Sequence, residues 1–100
     1  MAQVSRVEII ANQAVEADLF DRMEALQCGQ MYTKMFPVFG KGKSGSRHGD
    51  HIWPEENILL LFYCSPEERD RIITAAKQVK QMYPDEGIKI FSFDVEMTEI

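Results

Sequence analysis

Seven consecutive residues, Ile58-Leu-Leu-Leu-Phe-Tyr-Cys64, leave this chain few ways to fold. Successive side chains of a strand point to opposite faces, so a run with no polar interruption must bury both of them. Such a strand belongs in the middle of a sheet covered on both sides. The run is far too short to span a bilayer, and no charged-then-apolar leader opens the chain, so a soluble, cytoplasmic protein without direct membrane insertion is expected. At 100 residues, 45% hydrophobic and 27% charged, the chain is expected to form a single domain over 1–100. A domain of that size buries only a modest share of its surface, and partner subunits would help it.

The flanking segments supply the rest of a sheet and its cover. Val4 to Ala11 alternates, with Val7 and Ile9 on one face against Arg6 and Glu8 on the other, and Ile10 joins Val4 on the second face. Asn12 is placed to cap a helix in which Val15, Leu19, Met23 and Leu26 recur at helical spacing, and Gly29 is a natural stop for it. Met31 to Val38 reads as a second strand, placed at an edge because Pro37 cannot donate to a ladder. Ser65-Pro66-Glu67-Glu68 opens a second helix with a capping serine and a glutamate set to reach back to it. Ile72, Ala76, Val79 and Tyr83 form that helix's buried stripe, and Pro84 ends it. In the last strand, Ile88 to Val95, Phe91, Phe93 and Val95 share one face, opposite Ile88, Ile90, Ser92 and Asp94.

Between the second and third strands lies a long loop, about 39–57, which holds Gly40, Gly42, Gly45 and Gly49 and both histidines. Loops of this length inside a small domain are usually functional or disordered. The formal net charge of -5 argues against a nucleic-acid binder. Within 41–51, however, Lys41, Lys43 and Arg47 face only Asp50, which suits a small anion or an acidic partner surface. Two readings of Gly40 to Lys43 stand side by side: successive glycine amides with lysines as an anion nest, or a solvated surface loop. His48, Asp50 and His51 likewise read either as the start of a zinc, nickel or copper site, which needs at least a third converging ligand, or as surface groups. Trp53 either anchors the loop's return or contacts a partner. Cys28 and Cys64 form no CxxC pattern and read as reduced thiols. No serine, histidine and carboxylate stand at a spacing that suggests a nucleophile with its base, so the chain is expected not to be an enzyme.

The order strand, helix, strand, loop, strand, helix, strand is the α+β, ferredoxin-like βαββαβ plan, a four-stranded antiparallel sheet with two helices on one face. Its other face stays bare yet apolar here, which implies an oligomer. With these elements in place, the chain resembles the P-II signalling proteins and their P-II-like relatives. The resemblance rests on the element order, on the Phe39-Gly-Lys41 opening of the long loop, and on Lys89-Ile-Phe-Ser-Phe-Asp-Val95 as the final strand.

The resemblance implies a homotrimer, with small effectors, typically adenine nucleotides, in clefts between subunits. It also implies control of a partner such as a membrane transporter through the long loop, without catalysis. Gly40, Lys41, Gly42 and Lys43 would contact the ligand, with Gly87 and Lys89 closing the cleft from the last turn. Departures from the family pattern are specific. The loop has no tyrosine for covalent modification, and Gly42 stands where a ligand-holding glutamine is expected. Tyr83-Pro-Asp-Glu-Gly87 replaces a threonine- and glycine-rich phosphate cradle, and its two carboxylates repel phosphate. The effector is therefore left open between a nucleotide, an anion and a divalent metal. The alternatives are a trimeric metal binder resembling the divalent-cation tolerance protein CutA and, third, a small enzyme on the same fold.

Overall fold

A computed structural model of the chain describes residues 2–40 and 56–100. Strand β1 (Ala2–Asn12) leads through a 3-10 turn (Gln13–Val15) into helix α1 (Glu16–Ala25) and strand β2 (Thr33–Val38). Strand β3 (Asn57–Cys64), helix α2 (Pro66–Met82) and strand β4 (Ile88–Met97) follow. The four strands form one antiparallel sheet in the order β2-β3-β1-β4, with both helices packed on one face. This is the expected βαββαβ arrangement. The doubly apolar β3 sits inside the sheet, and the proline-bearing β2 sits at an edge, where the register shifts between Met35 and Val38.

Pairing fixes which side chains share a face. Ser5, Val7, Ile9 and Ala11 stand opposite Cys64, Phe62, Leu60 and Ile58, and all eight are buried beneath the helices. Val15, Leu19 and Met23 from the first half meet Ile72, Ala75, Ala76 and Val79 of α2 over this layer. Ser5 is the one buried polar residue of the described core. Its hydroxyl donates to Asp94 Oδ1 at 3.1 Å and accepts from Arg69 Nη1 at 3.2 Å, so its desolvation is compensated.

Among the described residues, the opposite face carries no helix. Val4, Arg6, Glu8 and Ile10 pair there with Val95, Phe93, Phe91 and Lys89, and the β4 side chains alternate as expected. Phe91, Phe93 and Tyr63 are each about half exposed. In their midst Arg6 bridges Glu8 at 2.7 Å, donates to the Tyr63 hydroxyl at 2.8 Å, and lies over the Tyr63 and Phe93 rings. Aliphatic and aromatic surface thus surrounds one internally satisfied ion pair.

Several local expectations are corrected. Asn12 caps the 3-10 turn, through Ala14 N at 2.8 Å, and α1 proper begins at Glu16. That helix ends at Ala25, and the first left-handed residue after it is Gln27 (φ 54°) rather than Gly29. Gly29 is left-handed too (φ 72°), but what it serves is close packing. A Cβ there would stand 2.5 Å from Met23 Sδ. Strand β2 starts at Thr33 instead of Met31, since Met31 lies outside the ladder and is largely exposed. Ser65 Oγ does accept from Glu68 N at 3.1 Å, yet the Glu68 carboxylate does not return to the cap. It accepts instead from the Gly29 amide at 2.9 Å, tying the start of α2 to the α1–β2 connection. Tyr83 is not in the buried stripe. It is the partly exposed C-cap of α2, and Ala75 fills the core position in that helix.

Candidate functional site

The register brings one end of the sheet together. Val38 pairs with Asn57, Asn57 with Asn12, and Ala11 with Ile88, so β2 leaves the sheet at the end where β4 joins it. Gly40 follows β2 there, and Gly87 and Lys89 open β4. Because β2 and β4 are opposite edges, two strands lie between them, and the edge strands are about 14 Å apart by ordinary strand spacing.

The floor between those edges is apolar. Ile10, Val38, Phe39, Gly40, Asn57 and Leu59 line an open recess of about 210 Å³ on the helix-free face. Ile10 pairs with Lys89 on that same face, so Gly40 bounds the recess from one side and the Lys89 strand position adjoins it from the other. A Cβ at Gly40 would meet no atom of the described residues within 4 Å. The backbone carbonyl of Glu56 accepts from Gln13 N at 2.9 Å, which fixes the loop's return beside the β1–α1 corner.

Of the residues the sequence pointed to, Gly40 lines the recess, while Gly87 and Lys89 stand at the same end of the sheet but on its opposite edge and are not among the lining residues. Lys41, Gly42 and Lys43, together with the metal candidates His48, Asp50 and His51 and with Trp53, lie outside the described residues. Among the described residues no group of three histidine, cysteine or acidic side chains is placed to hold a metal ion. The floor residues Ile10 and Leu59 were not singled out as site residues. The available signal was Ile10, an isoleucine following Arg6 and Glu8 on the face it shares with Val4.

Lys80 was also missed. Its ammonium donates to the carbonyls of Pro84 at 2.8 Å and Glu86 at 2.5 Å, and Glu86 N donates to Tyr83 O at 3.0 Å, so the turn before Gly87 is closed from within. At the far end of the sheet, desolvation pushes the Cys28 and Cys64 thiols up from their ordinary range, with the Glu68 carboxylate adding to it. Both are free and buried, and this keeps them protonated and chemically quiet. No helix among the described residues is long and apolar enough to cross a membrane.

No curated protein matches the chain. Among solved structures, it is similar to CPII, a nitrogen regulatory PII-like protein from Thiomonas intermedia bound to ADP, AMP and bicarbonate. That match has a TM-score of 0.72 and 16% identity, and covers 99% of this chain and 97% of that one. A PII-like signalling protein from Thermus thermophilus matches with TM-score 0.66 and 22% identity over 94% and 88% of the two chains. The GlnK–ATP complex of B. subtilis matches with TM-score 0.59 and 19% identity over 91% and 82%. At these identities the likeness is one of fold. Residues 4–100 match the family model described as nitrogen regulatory protein P-II, and the chain belongs to that family.

Proposed function

We propose that this protein is a cytoplasmic P-II-like regulator, a homotrimer that binds an adenine nucleotide, with or without bicarbonate, at the sheet end bounded by Gly40 and Lys89. It controls a partner protein, a membrane transporter, through the segment 39–57, and does so without catalysis. The observation that carries this reading is an apolar recess, lined by Gly40 and by Ile10, the strand partner of Lys89, in a chain of this family. Two PII-like relatives by fold are described as bound to nucleotides, CPII to ADP and AMP with bicarbonate and GlnK to ATP. Trimer formation is supported by the helix-free face, whose half-exposed Phe91, Phe93 and Tyr63 would lose water on contact with other copies.

The test is a thermal-shift and calorimetric comparison of ADP, AMP, ATP and bicarbonate with zinc, nickel and copper. A nucleotide that binds only the folded state at a hundred times its Kd stabilises by about 2.7 kcal/mol. We expect a rise in Tm with nucleotide that weakens in Lys89→Ala, with no ATP turnover. Silence with every nucleotide, together with metal heat that disappears in a His48→Ala, His51→Ala double variant, would establish the CutA-like alternative instead.

A further inference from the structure

On the helix-free face Arg6 is flanked across the sheet by Tyr63 of β3 and Phe93 of β4, and Glu8, in the next row, by Leu61 and Phe91. Arg6 Nε donates to Glu8 Oε1 at 3.0 Å, Nη2 stands 2.7 Å from the same oxygen, and Nη1 donates to the Tyr63 hydroxyl at 2.8 Å. The two charged side chains are only 28% and 25% exposed, so most of their dehydration precedes any partner. Bonding capacity is nevertheless left over. A guanidinium carries five N–H donors, the Tyr63 hydroxyl keeps its own proton to give, and Glu8 Oε2 has no hydrogen-bond partner among the described residues. On the described strands the other charged residue of this face is Lys89, which pairs with Ile10 nearer the recess.

We infer that Arg6 and Glu8 form a preassembled, charge-neutral element that docks this face onto further copies of the same chain, the second Glu8 oxygen of each copy accepting from the Arg6 or Tyr63 donors of its neighbour. This rests on the self-association reading above. Spare donors and a spare acceptor on one patch make a self-complementary set, and a closed ring of identical subunits satisfies it with a single contact repeated. The half-exposed rings of Tyr63, Phe91 and Phe93 surround the pair and exclude water from it once docked. An ion pair enters an interface at little cost only as an intact pair. Removing one member leaves a dehydrated charge without its partner, whereas replacing both by apolar groups of similar volume is close to neutral. A pair that stays in water shows no such asymmetry, because it is worth little in either state.

Sedimentation of the fluorescently labelled full chain across a dilution series tests this, with Arg6→Met, Glu8→Leu, Arg6→Lys and Arg6→Met/Glu8→Leu variants. Each of Arg6→Met and Glu8→Leu should raise the concentration at which half the oligomer dissociates by at least about thirtyfold. The double variant should return to within about threefold of the natural protein. Arg6→Lys, which keeps the charge and loses the forked donors, should fall between the natural protein and Arg6→Met. Circular dichroism of the dissociated variants, matching that of the natural chain, separates lost docking from lost folding. Single variants within threefold of the natural protein, or a double variant as weak as the singles, overturn the inference while leaving self-association intact. A natural protein that stays monomeric at every concentration removes both readings.

Discussion

Replacing Gly29 by alanine should destabilise the fold by about 2–4 kcal/mol, and the structure says where each part arises. Gly29 has φ 72°, a conformation that costs an L-residue about 1–2 kcal/mol. The added methyl would also stand 2.5 Å from Met23 Sδ and 3.2 Å from its Cγ, closer than real contacts allow. Met23 is buried beside Leu19 in the core, so it must leave its rotamer, and overpacking of this kind costs about 1–3 kcal/mol. Methionine is the most adaptable of the core side chains, which keeps the steric share toward the lower end of that range and the sum at about 2–4 kcal/mol. For a domain of this length each kcal/mol lowers Tm by roughly 4–8 °C, so a fall of about 10–25 °C is expected in a melt followed by circular dichroism. The decisive control is a double-mutant cycle with Met23→Ala. Removing the obstructing side chain should cancel the steric share and leave only the backbone cost, giving a coupling of about 1–2 kcal/mol. A cost for Gly29→Ala below about 1 kcal/mol, or one that is the same in both backgrounds, would refute this account of the close approach.

Two further outcomes are expected. Phe91→Asp/Phe93→Asp places charge on the helix-free face beside Arg6 and Glu8, and should convert the proposed trimer to a folded monomer of 11.5 kDa by light scattering; an unchanged oligomer would remove that face from the interface. The raised Cys28 and Cys64 thiols should resist aromatic disulfide reagents at pH 8 in the native protein and react at once in denaturant. Since the folded state holds these protons more tightly than the unfolded one, the thiols leave stability unchanged at neutral pH and subtract from it as pH rises past the ordinary thiol range of about 8.5. A denaturation midpoint that did not fall from pH 8 to pH 10 in the natural protein, relative to a Cys28→Ala/Cys64→Ala variant, would contradict this.

Much of the architecture was legible because burial imposes a period on each element. The unbroken run at Ile58 to Cys64 announced an interior strand, and the alternation through Phe91, Phe93 and Val95 announced a sheet whose second face carries no helix among the described residues. Errors fell where tertiary partners overrode a local signal. Glu68 had a cap within reach by sequence spacing, but the Gly29 amide, 39 residues away in the chain, gives its carboxylate a partner that spacing cannot reveal. Gln27 bears the left-handed turn after α1 because the chain must already have bent before Gly29 packs on Met23. Tyr83 fits the helical period, yet it falls one residue beyond the last helical turn, where the stripe no longer faces the core. At the candidate site Gly40, Gly87 and Lys89 could be placed near strand ends in advance, because the strand periods stop or start beside them. The recess floor could not, because Ile10 and Leu59 become neighbours only through the β1–β3 register.

The Val38–Asn57 pair and the Gln13–Glu56 bond act together as fixed abutments for whatever chain lies between Gly40 and Glu56. Closing a flexible span across set endpoints costs only about 0.6 kcal/mol for each doubling of its length. Changing the length of the chain between them is therefore expected to leave the sheet's registration alone, because the register is held by pairs on either side of it.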